Sequence, residues 1–171
     1  MIRQLRDDDA EAYVALRRES LQDAPLAFLA SPADDVASSV EAVRDQLRRA
    51  PDSVVVGAFD DRLIGALGLS RDRHLKAAHK VHLWGMYVAP THRRQGVGAA
   101  LLQAALAYAR ALPGVSWAHL SVSSAAPAAR RLYERAGFRV WGAEPEALRH
   151  NGEIAVEYHL ALQLLETERA R

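Results

Sequence analysis

The sequence predicts a mixed α/β fold in which helices lie on both faces of one sheet. Three observations predict it: a strand and two helical segments in residues 1–50, a run of strand-like segments over 53–88, and alternating helical and strand segments over 98–162. A strand meander followed by βαβ units is typical of a single mixed sheet. At 171 residues the chain has the length of one domain with a sizeable core, so we expect one domain over residues 1–171.

The N-terminal third should hold one strand and two helices. Residues 2–6 form a short strand, and three aspartates then cap a helix that runs to about residue 21 and is interrupted by Pro25. A second helix is expected from Pro32, which suits a first helical turn, to about Arg49. Helical spacing predicts that its buried face carries Val36, Val40, Val43 and Leu47.

The middle of the chain should hold a three-stranded meander. Residues 53–59 and 63–69 are apolar, and the turn formed by Asp60 and Asp61 between them predicts a hairpin. A third strand is expected over 81–88, where its internal glycine marks a bulge or a close backbone approach.

The remainder of the chain should alternate between helices and strands. Helices are expected over 98–112 and 127–136, each followed closely by a glycine that ends it. Strands are expected over 117–122, from residue 138 onwards and over 154–162, followed by a charged tail.

Composition excludes several classes of protein. The chain has no cysteine, which removes disulfides, thiolate catalysis and cysteine-ligated zinc. No apolar run approaches the ~20 residues that span a bilayer, and the acidic start of the chain is unlike a signal peptide. The net charge of +1 gives no general affinity for nucleic acid. We therefore expect a cytoplasmic protein that binds neither membranes nor nucleic acid.

Charge is unevenly distributed along the chain. Residues 73–133 contain no Asp or Glu but eight Lys and Arg residues. A basic block of this kind suits a polyanionic ligand, and a solvated basic surface is the alternative.

A glycine loop joins the third meander strand to the next helix. Residues 88–102 read VAPTHRRQGVGAALL. The first N–H groups of a helix have no partner within it and, with the helix dipole, they bind anions. Gly96 and Gly98 let the backbone approach phosphate oxygens, while Arg93 and Arg94 add positive charge. The loop lacks the Gly-Lys-Ser/Thr of a P-loop, and a leucine stands where a dinucleotide fingerprint needs a third small residue.

Two motifs make the chain resemble the GNAT superfamily of acetyl-CoA-dependent N-acetyltransferases. Residues 93–98 follow the pattern Arg-x-x-Gly-x-Gly after a strand that ends in Val-x-Pro, and residues 132–138, LYERAGF, are similar to that family's LYEKxGF segment. The resemblance covers residues 53–162 in element order. It implies a mixed, mostly antiparallel sheet of six to seven strands, with acetyl-CoA as the cosubstrate.

The resemblance also implies which residues bind acetyl-CoA. Backbone N–H groups of the glycine loop would hold the pyrophosphate, and the preceding strand would pair with the pantetheine arm, with the acetyl carbonyl near the Val88 N–H. One departure is Ala126, which stands where the family usually has an Asn; Ser123 or Ser124 is the expected substitute. The cofactor-binding set implied in this way is Met86, Tyr87, Val88, Arg93, Arg94, Gln95, Gly96, Val97, Gly98, Ala99, Ser124 and Tyr133.

Direct attack of an amine on the thioester needs a group that protonates the leaving thiolate and a group that takes the amine proton. Tyr133 corresponds to the family's usual general acid, and an aromatic residue that only packs is the alternative. The family often has a glutamate six residues before the valine, and His82 stands there, so His82, directly or through a water, is the predicted base. Glu157 is the competing candidate, and a surface histidine without a role is the alternative for His82.

No metal site is expected. His74, His79 and His82 are close in sequence, but they match no zinc spacing and no carboxylate joins them locally.

The predicted acceptor is a primary amine of a small molecule. A protein or peptide N-acetyltransferase and a non-catalytic acyl-CoA sensor are the alternatives, and a homodimer is left open. Four acidic residues on the second predicted helix could attract a cationic acceptor or form a solvated face: Asp34, Asp35, Glu41 and Asp45.

Overall fold

A computed structural model describes residues 1–164 of the chain, so most of the charged tail expected after residue 162 lies outside the described residues. The helices are α1 (Ala10–Asp23), α2 (Val40–Leu47), α3 (Val97–Ala111) and α4 (Pro127–Arg135). The strands are β1 (Ile2–Gln4), β2 (Ser53–Asp60), β3 (Arg62–Arg71), β4 (Lys80–Val88), β5 (Trp117–Ser123), β6 (Arg139–His150) and β7 (Glu153–Gln163).

The strands of the described residues form one sheet in the order β1-β2-β3-β4-β5-β7-β6. Each neighbouring pair is antiparallel except β4 and β5, which run parallel because α3 connects them as a crossover. The predicted mixed, mostly antiparallel sheet is confirmed. No helix within residues 1–164 is long and apolar enough to cross a membrane.

Two apolar cores lie on opposite faces of the sheet, because successive side chains of a strand point to opposite faces. Val54 and Val56 of β2 belong to the core under α3. Val55 belongs to the other core, together with Tyr13 of α1 and Val43 of α2. The helices therefore cover both faces, as predicted.

The sheet opens between β4 and β5. These strands pair only as far as Leu83 opposite Leu120, and beyond this point they separate. The register between β3 and β4 shifts next to Gly85, whose φ of +66° is a conformation that glycine adopts without strain. The predicted bulge is confirmed, and it bends the end of β4 away from β5.

The second helix is shorter than predicted. It begins at Val40 with Ser39 as its N-cap, and Val36, expected on the buried face, is 83% exposed. The Asp34 carboxylate accepts hydrogen bonds from the N–H and hydroxyl of Ser31, which stabilises a turn in place of the helix. The prediction is wrong here because local side-chain bonds to the backbone compete with helix formation.

Candidate functional site

A cleft of about 740 Å³ lies where β4 and β5 separate. Its walls are the end of β4, the glycine loop, one face of α4, and a 3-10 turn at Pro25–Ala27 that follows α1. The walls are largely apolar, and their arginines come from the glycine loop (Arg93 and Arg94) and from α4 (Arg135).

The glycine loop presents backbone donors to this cleft. Gly96 is the N-cap of α3 with φ +81°, and the preceding Arg94 also has a positive φ of +61°. The first backbone bond of the helix runs from the Ala100 N–H to the Gly96 carbonyl at 3.0 Å, so the N–H groups of residues 97–99 have no partner within the helix. Such a row of N–H groups at a helix N-terminus binds phosphate oxygens.

Gly98 sits at the contact between α3 and α4. A Cβ at this position would lie 3.3 Å from Leu132 of α4 and 3.9 Å from Val88 of β4. Both of these neighbours line the cleft. The absence of a side chain at Gly98 therefore lets three walls of the cleft meet closely.

The two arginines of the loop differ in their surroundings. The Arg93 guanidinium donates to the Val88 carbonyl at 2.9 Å and pairs with Asp23 of α1, so it ties the loop to the first helix. Arg94 lines the cleft, and within residues 1–164 it forms no ion pair. Arg135 of α4, which was not predicted from the sequence, also lines the cleft and forms no ion pair within residues 1–164. Gln95, in contrast, does not line the cleft, and its side-chain amide donates to the Thr91 carbonyl at 3.1 Å.

Successive side chains at the end of β4 lie on opposite faces of the sheet. Met86 and Val88 line the cleft and pack towards the α3 core. The Tyr87 hydroxyl donates to the carboxylates of Glu19 (3.1 Å) and Asp23 (3.2 Å) on α1. Burial, followed by these two carboxylates, raises the pKa of Tyr87, so the hydroxyl remains protonated. Tyr87 thus lines the cleft, while its hydroxyl anchors α1.

The turn before α4 lacks a capping side chain. Ala126 is the N-cap residue and forms no side-chain bond, as expected from its methyl group. The Ser123 hydroxyl instead accepts from the Ala125 N–H at 3.1 Å. The Ser124 hydroxyl accepts from the Val156 N–H at 3.0 Å, which fixes β7 to this turn. Of the two serines, Ser123 stabilises the entry to α4.

Tyr133 is 5% exposed and packs edge-on against Phe138, with 5.9 Å between the ring centroids. Its hydroxyl forms no hydrogen bond with another described residue, yet no fully buried polar side-chain atom of these residues lacks a partner. The hydroxyl therefore retains some accessible surface. Burial raises the pKa of Tyr133, so it remains a proton donor at neutral pH.

The two candidate bases lie at different places on the sheet. His82 is exposed on the part of β4 that is still paired with β5, with its ring centroid 5.7 Å from that of His119. It does not line the cleft. Glu157 lies on β7 opposite Ser123, at the turn that forms the cleft wall. Burial is the main effect on Glu157 and raises its pKa, while the neighbouring His159 lowers it and Glu144 raises it further.

Two of the four acidic residues nominated on the second helix lie before it and have other partners. Asp35 is buried and pairs with Arg17 of α1 at 3.1 Å, and Asp34 lies in the turn before the helix. Within residues 1–164, one group of His, Asp and Glu side chains has its ligand atoms all within 4.8 Å of one another: Glu144, Glu157 and His159.

Sequence reasoning missed the part of the site that comes from distant elements. Phe28 stacks edge-on against Tyr87 at 6.5 Å, and with the turn Pro25–Ala27 it closes one end of the cleft. No local motif marks these residues. On α4 a signal was present, since the cleft residues Ala128, Leu132 and Arg135 are spaced as one helical face.

Comparisons with known proteins agree with this fold. The model of the acetyltransferase (GNAT) family matches residues 6–138. The structure of yncA, a putative acetyltransferase from Salmonella typhimurium with its cofactor acetyl-CoA, is 19% identical, with a TM-score of 0.84 over 100% of this chain and 97% of that one.

Two further solved structures have the same fold. A GCN5-related N-acetyltransferase from Kribbella flavida is 25% identical, with a TM-score of 0.80 over 95% of this chain and 96% of that one. The ribosomal-protein-alanine N-acetyltransferase from Brucella melitensis is 19% identical, with a TM-score of 0.80 over 95% and 99% of the two chains.

Proposed function

The chain belongs to the acetyltransferase (GNAT) family, and we propose that it transfers an acetyl group from acetyl-CoA to a primary amine of a small molecule. Acetyl-CoA-dependent acetyl transfer is the activity of the family. The small amine and the roles of individual residues are our proposal. A protein or peptide acceptor and a non-catalytic acyl-CoA sensor are the competing possibilities.

One observation carries the choice of a small acceptor. The turn Pro25–Ala27 packs against β5 and β6, and Phe28 packs against Tyr87, so the connection from α1 to α2 covers the end of the cleft beside β4. An extended peptide needs an open groove along several residues, whereas a covered end admits a compact molecule. Names of structural neighbours do not decide the matter, since they include both a ribosomal-protein and a phosphinothricin N-acetyltransferase.

The donor side of the cleft fits acetyl-CoA. The N–H groups of residues 97–99 suit the pyrophosphate, with Arg94 and Arg135 as flanking positive charges. The separated edge of β4 at Met86 and Val88 leaves backbone groups that can pair with the pantetheine arm. Acetyl-CoA supplies the activated acetyl thioester, and the chain supplies its binding and orientation.

Tyr133 is proposed as the acid that protonates the leaving thiolate. A tyrosine with a pKa above 10 would transfer a proton only unfavourably to a thiolate in water, because a thiol has a pKa of about 8.5. The walls around this thiolate are apolar, and desolvation raises the pKa of a thiol in the same direction. The hydroxyl, with no other hydrogen-bond partner among the described residues, can donate to the sulfur as charge develops on it.

Two side chains are candidates for the base that takes the amine proton. His82 remains the prediction of the sequence; neither it nor Glu157 lines the cleft, so either side chain would reach the amine through a water. Glu157 is supported by its place beside the cleft wall and by a pKa that burial raises towards neutrality. We therefore propose Glu157 as the base, with His82 as the second candidate.

A thiol-release assay tests the function. Wild-type protein with acetyl-CoA is supplied with polyamines, aminoglycosides, amino acids and peptides in turn, and Tyr133→Phe serves as the matched control. We expect CoA release above background hydrolysis with at least one small amine and little release with Tyr133→Phe. Release with peptides alone would favour the protein acetyltransferase, and tight binding of acetyl-CoA without release to any amine would favour the sensor.

A further inference from the structure

A polar cluster lies on the sheet face opposite the α3 core, next to the covered end of the cleft. Side chains of β5 and β7 alternate, so that Tyr158 and Leu160 pack against the α3 core while Glu157 and His159 point to the other face. Ser121 of β5 pairs with His159 across the sheet. The donor cleft accounts for none of these three polar residues.

His159 is held in place from three sides. Its Nδ1 lies 2.9 Å from the Ser121 hydroxyl, and its Nε2 lies 3.7 Å from a carboxylate oxygen of Glu144 on β6. The ring of Trp141, which is 65% exposed, stacks on the imidazole with 5.3 Å between centroids and 29° between planes. The carboxylate of Glu157 completes the cluster. One carboxylate oxygen of Glu144, one of Glu157 and one ring nitrogen of His159 all lie within 4.8 Å of one another.

Glu144 and Glu157 face each other directly across β6 and β7. Like charges placed opposite one another on a sheet destabilise it. Within residues 1–164 neither carboxylate pairs with an Arg or Lys, and the basic side chain beside them is that of His159, which is charged only when protonated. The turn Pro25–Ala27, which packs against β5 and β6, contributes no ionisable side chain. His119 of β5 and Arg139 of β6 flank the cluster, since both pair with Ala161, two residues after His159 on β7.

The proposed reaction must release one proton to solvent. An acceptor ammonium and acetyl-CoA become an amide, a free CoA thiol and one proton. The nitrogen loses two protons. The base carries one of them away, and the loss of the other is matched by the proton that the thiolate gains. The base must then lose its proton before the next turnover, and a half-buried glutamate needs a partner that connects it to water.

Resting on the function proposed above, we propose that His159 takes the proton from Glu157 and passes it to solvent, with Ser121, Glu144 and Trp141 holding its ring in place. The proton moves from the Glu157 carboxyl, directly or through one water, to a ring nitrogen of a neutral imidazole within 4.8 Å, and the imidazolium then loses a proton to water. The Glu144 carboxylate and the stacked indole both stabilise the imidazolium during this step. His159 acts through Glu157, so it is a positioning residue and does not touch the substrate.

The cluster predicts opposite pH shifts from two substitutions that each remove one ionisable group. Replacing the imidazole with His159→Gln should move the acidic limb of kcat/KM to higher pH, because His159 lowers the pKa of Glu157. Removing the negative charge with Glu144→Gln should move the same limb to lower pH, because Glu144 raises that pKa. A purely structural role would not give shifts of opposite sign.

The experiment measures kcat, KM for the amine, and the pH profile in wild type, His159→Gln, Glu144→Gln and the control His74→Gln, an exposed loop histidine beside Asp72. We expect His159→Gln to lower kcat about 10-fold or more with little change in KM, and added imidazole to restore part of the rate. ¹³C NMR of the Glu157 carboxyl, recorded without substrate, should show the same two pKa shifts.

Three results would overturn the proposal. If His159→Gln keeps the wild-type kcat and the wild-type acidic limb, His159 does not relay the proton. If the substitution raises KM alone, His159 takes part in acceptor binding instead. NMR shifts without any change in kcat show charge coupling without proton transfer. A wild-type protein that binds acetyl-CoA but acetylates no amine is a different failure, because it refutes the proposed function on which the relay rests.

Discussion

The two sides of the cleft are built in different ways. The proposed donor side presents backbone N–H groups from the continuous stretch 86–99, and α4 forms its other wall. The proposed acceptor side is assembled from Ala27 and Phe28, which line the cleft, and from strands β5 to β7 beside it, of which β5 and β6 pack against the turn Pro25–Ala27. Because acetyl-CoA is the same in the whole family, a backbone site suffices for it. Side chains must instead select the acceptor, which differs from one enzyme to another.

The comparison predicts that a charge placed in the backbone site has the largest effect. Gly98→Asp puts a carboxylate against the expected pyrophosphate position, and two unit charges ~4 Å apart at an effective dielectric of ~20 repel by ~4 kcal/mol. We expect acetyl-CoA affinity to fall about 1,000-fold in a calorimetric titration. Gly98→Ala is the matched control, because its Cβ meets the movable end of Leu132 at 3.3 Å and adds no charge. Equal losses in both variants would show that packing, not charge, matters here.

Tyr133→Phe should separate catalysis from donor binding. The hydroxyl has no partner to lose among the described residues, so folding and acetyl-CoA affinity should stay near wild type while kcat falls about 100-fold or more. Tyr108→Phe is the control, since that hydroxyl donates to the Pro51 carbonyl outside the cleft. A kcat for Tyr133→Phe within twofold of wild type would leave Tyr133 as a packing residue.

Substitution of the two candidate bases tests which of them takes the proton from the acceptor amine. Glu157→Gln should lower kcat/KM about 10- to 100-fold, and His82→Gln should change it less than threefold. The base works as a carboxylate and burial raises its pKa, so activity should fall as the pH drops through a value above the ~4.3 of an ordinary glutamate. If the acidic limb persists in Glu157→Gln but disappears in His82→Gln, His82 is the base.

Arg93→Ala should give the smallest effect, although Arg93 belongs to the donor motif. Its guanidinium pairs with Asp23 and with the Val88 carbonyl, and it is 44% exposed. An exposed ion pair contributes ~0.2–1 kcal/mol, which corresponds to less than about a fivefold loss of acetyl-CoA affinity. The loss should shrink further at high salt, and Asp23→Asn should reproduce most of it. A loss of 50-fold or more would place Arg93 directly on a phosphate.

The same comparison explains what the sequence could predict. Gly85, Gly96 and Gly98 mark positions where the backbone itself determines the site, so local sequence located the bulge, the loop and the start of α3. The helix predicted over 32–49 was wrong in its first half, where Ser31 and its neighbours form turns. Local propensity does not register such competition between side chains and backbone.

The acceptor side depends on contacts between residues far apart in the chain. Glu144 and Glu157 meet because β6 and β7 form a hairpin with two register shifts, and Ser121 joins them because β7 lies between β5 and β6. Neither the shifts nor this strand order can be read from local periodicity. The sequence indicated Glu157 as a candidate but not His159 or Glu144, because only the strand register brings these two residues next to Glu157.

Backbone amide NMR during a titration with acetyl-CoA tests the division between the two sides most directly. We expect the largest shifts at the N–H groups of residues 97–99. Glu157 and His159 should respond strongly only when an amine is added afterwards. Shifts centred on β6 and β7 with acetyl-CoA alone, and unchanged resonances at Gly98, would contradict the claim that the glycine loop holds the donor.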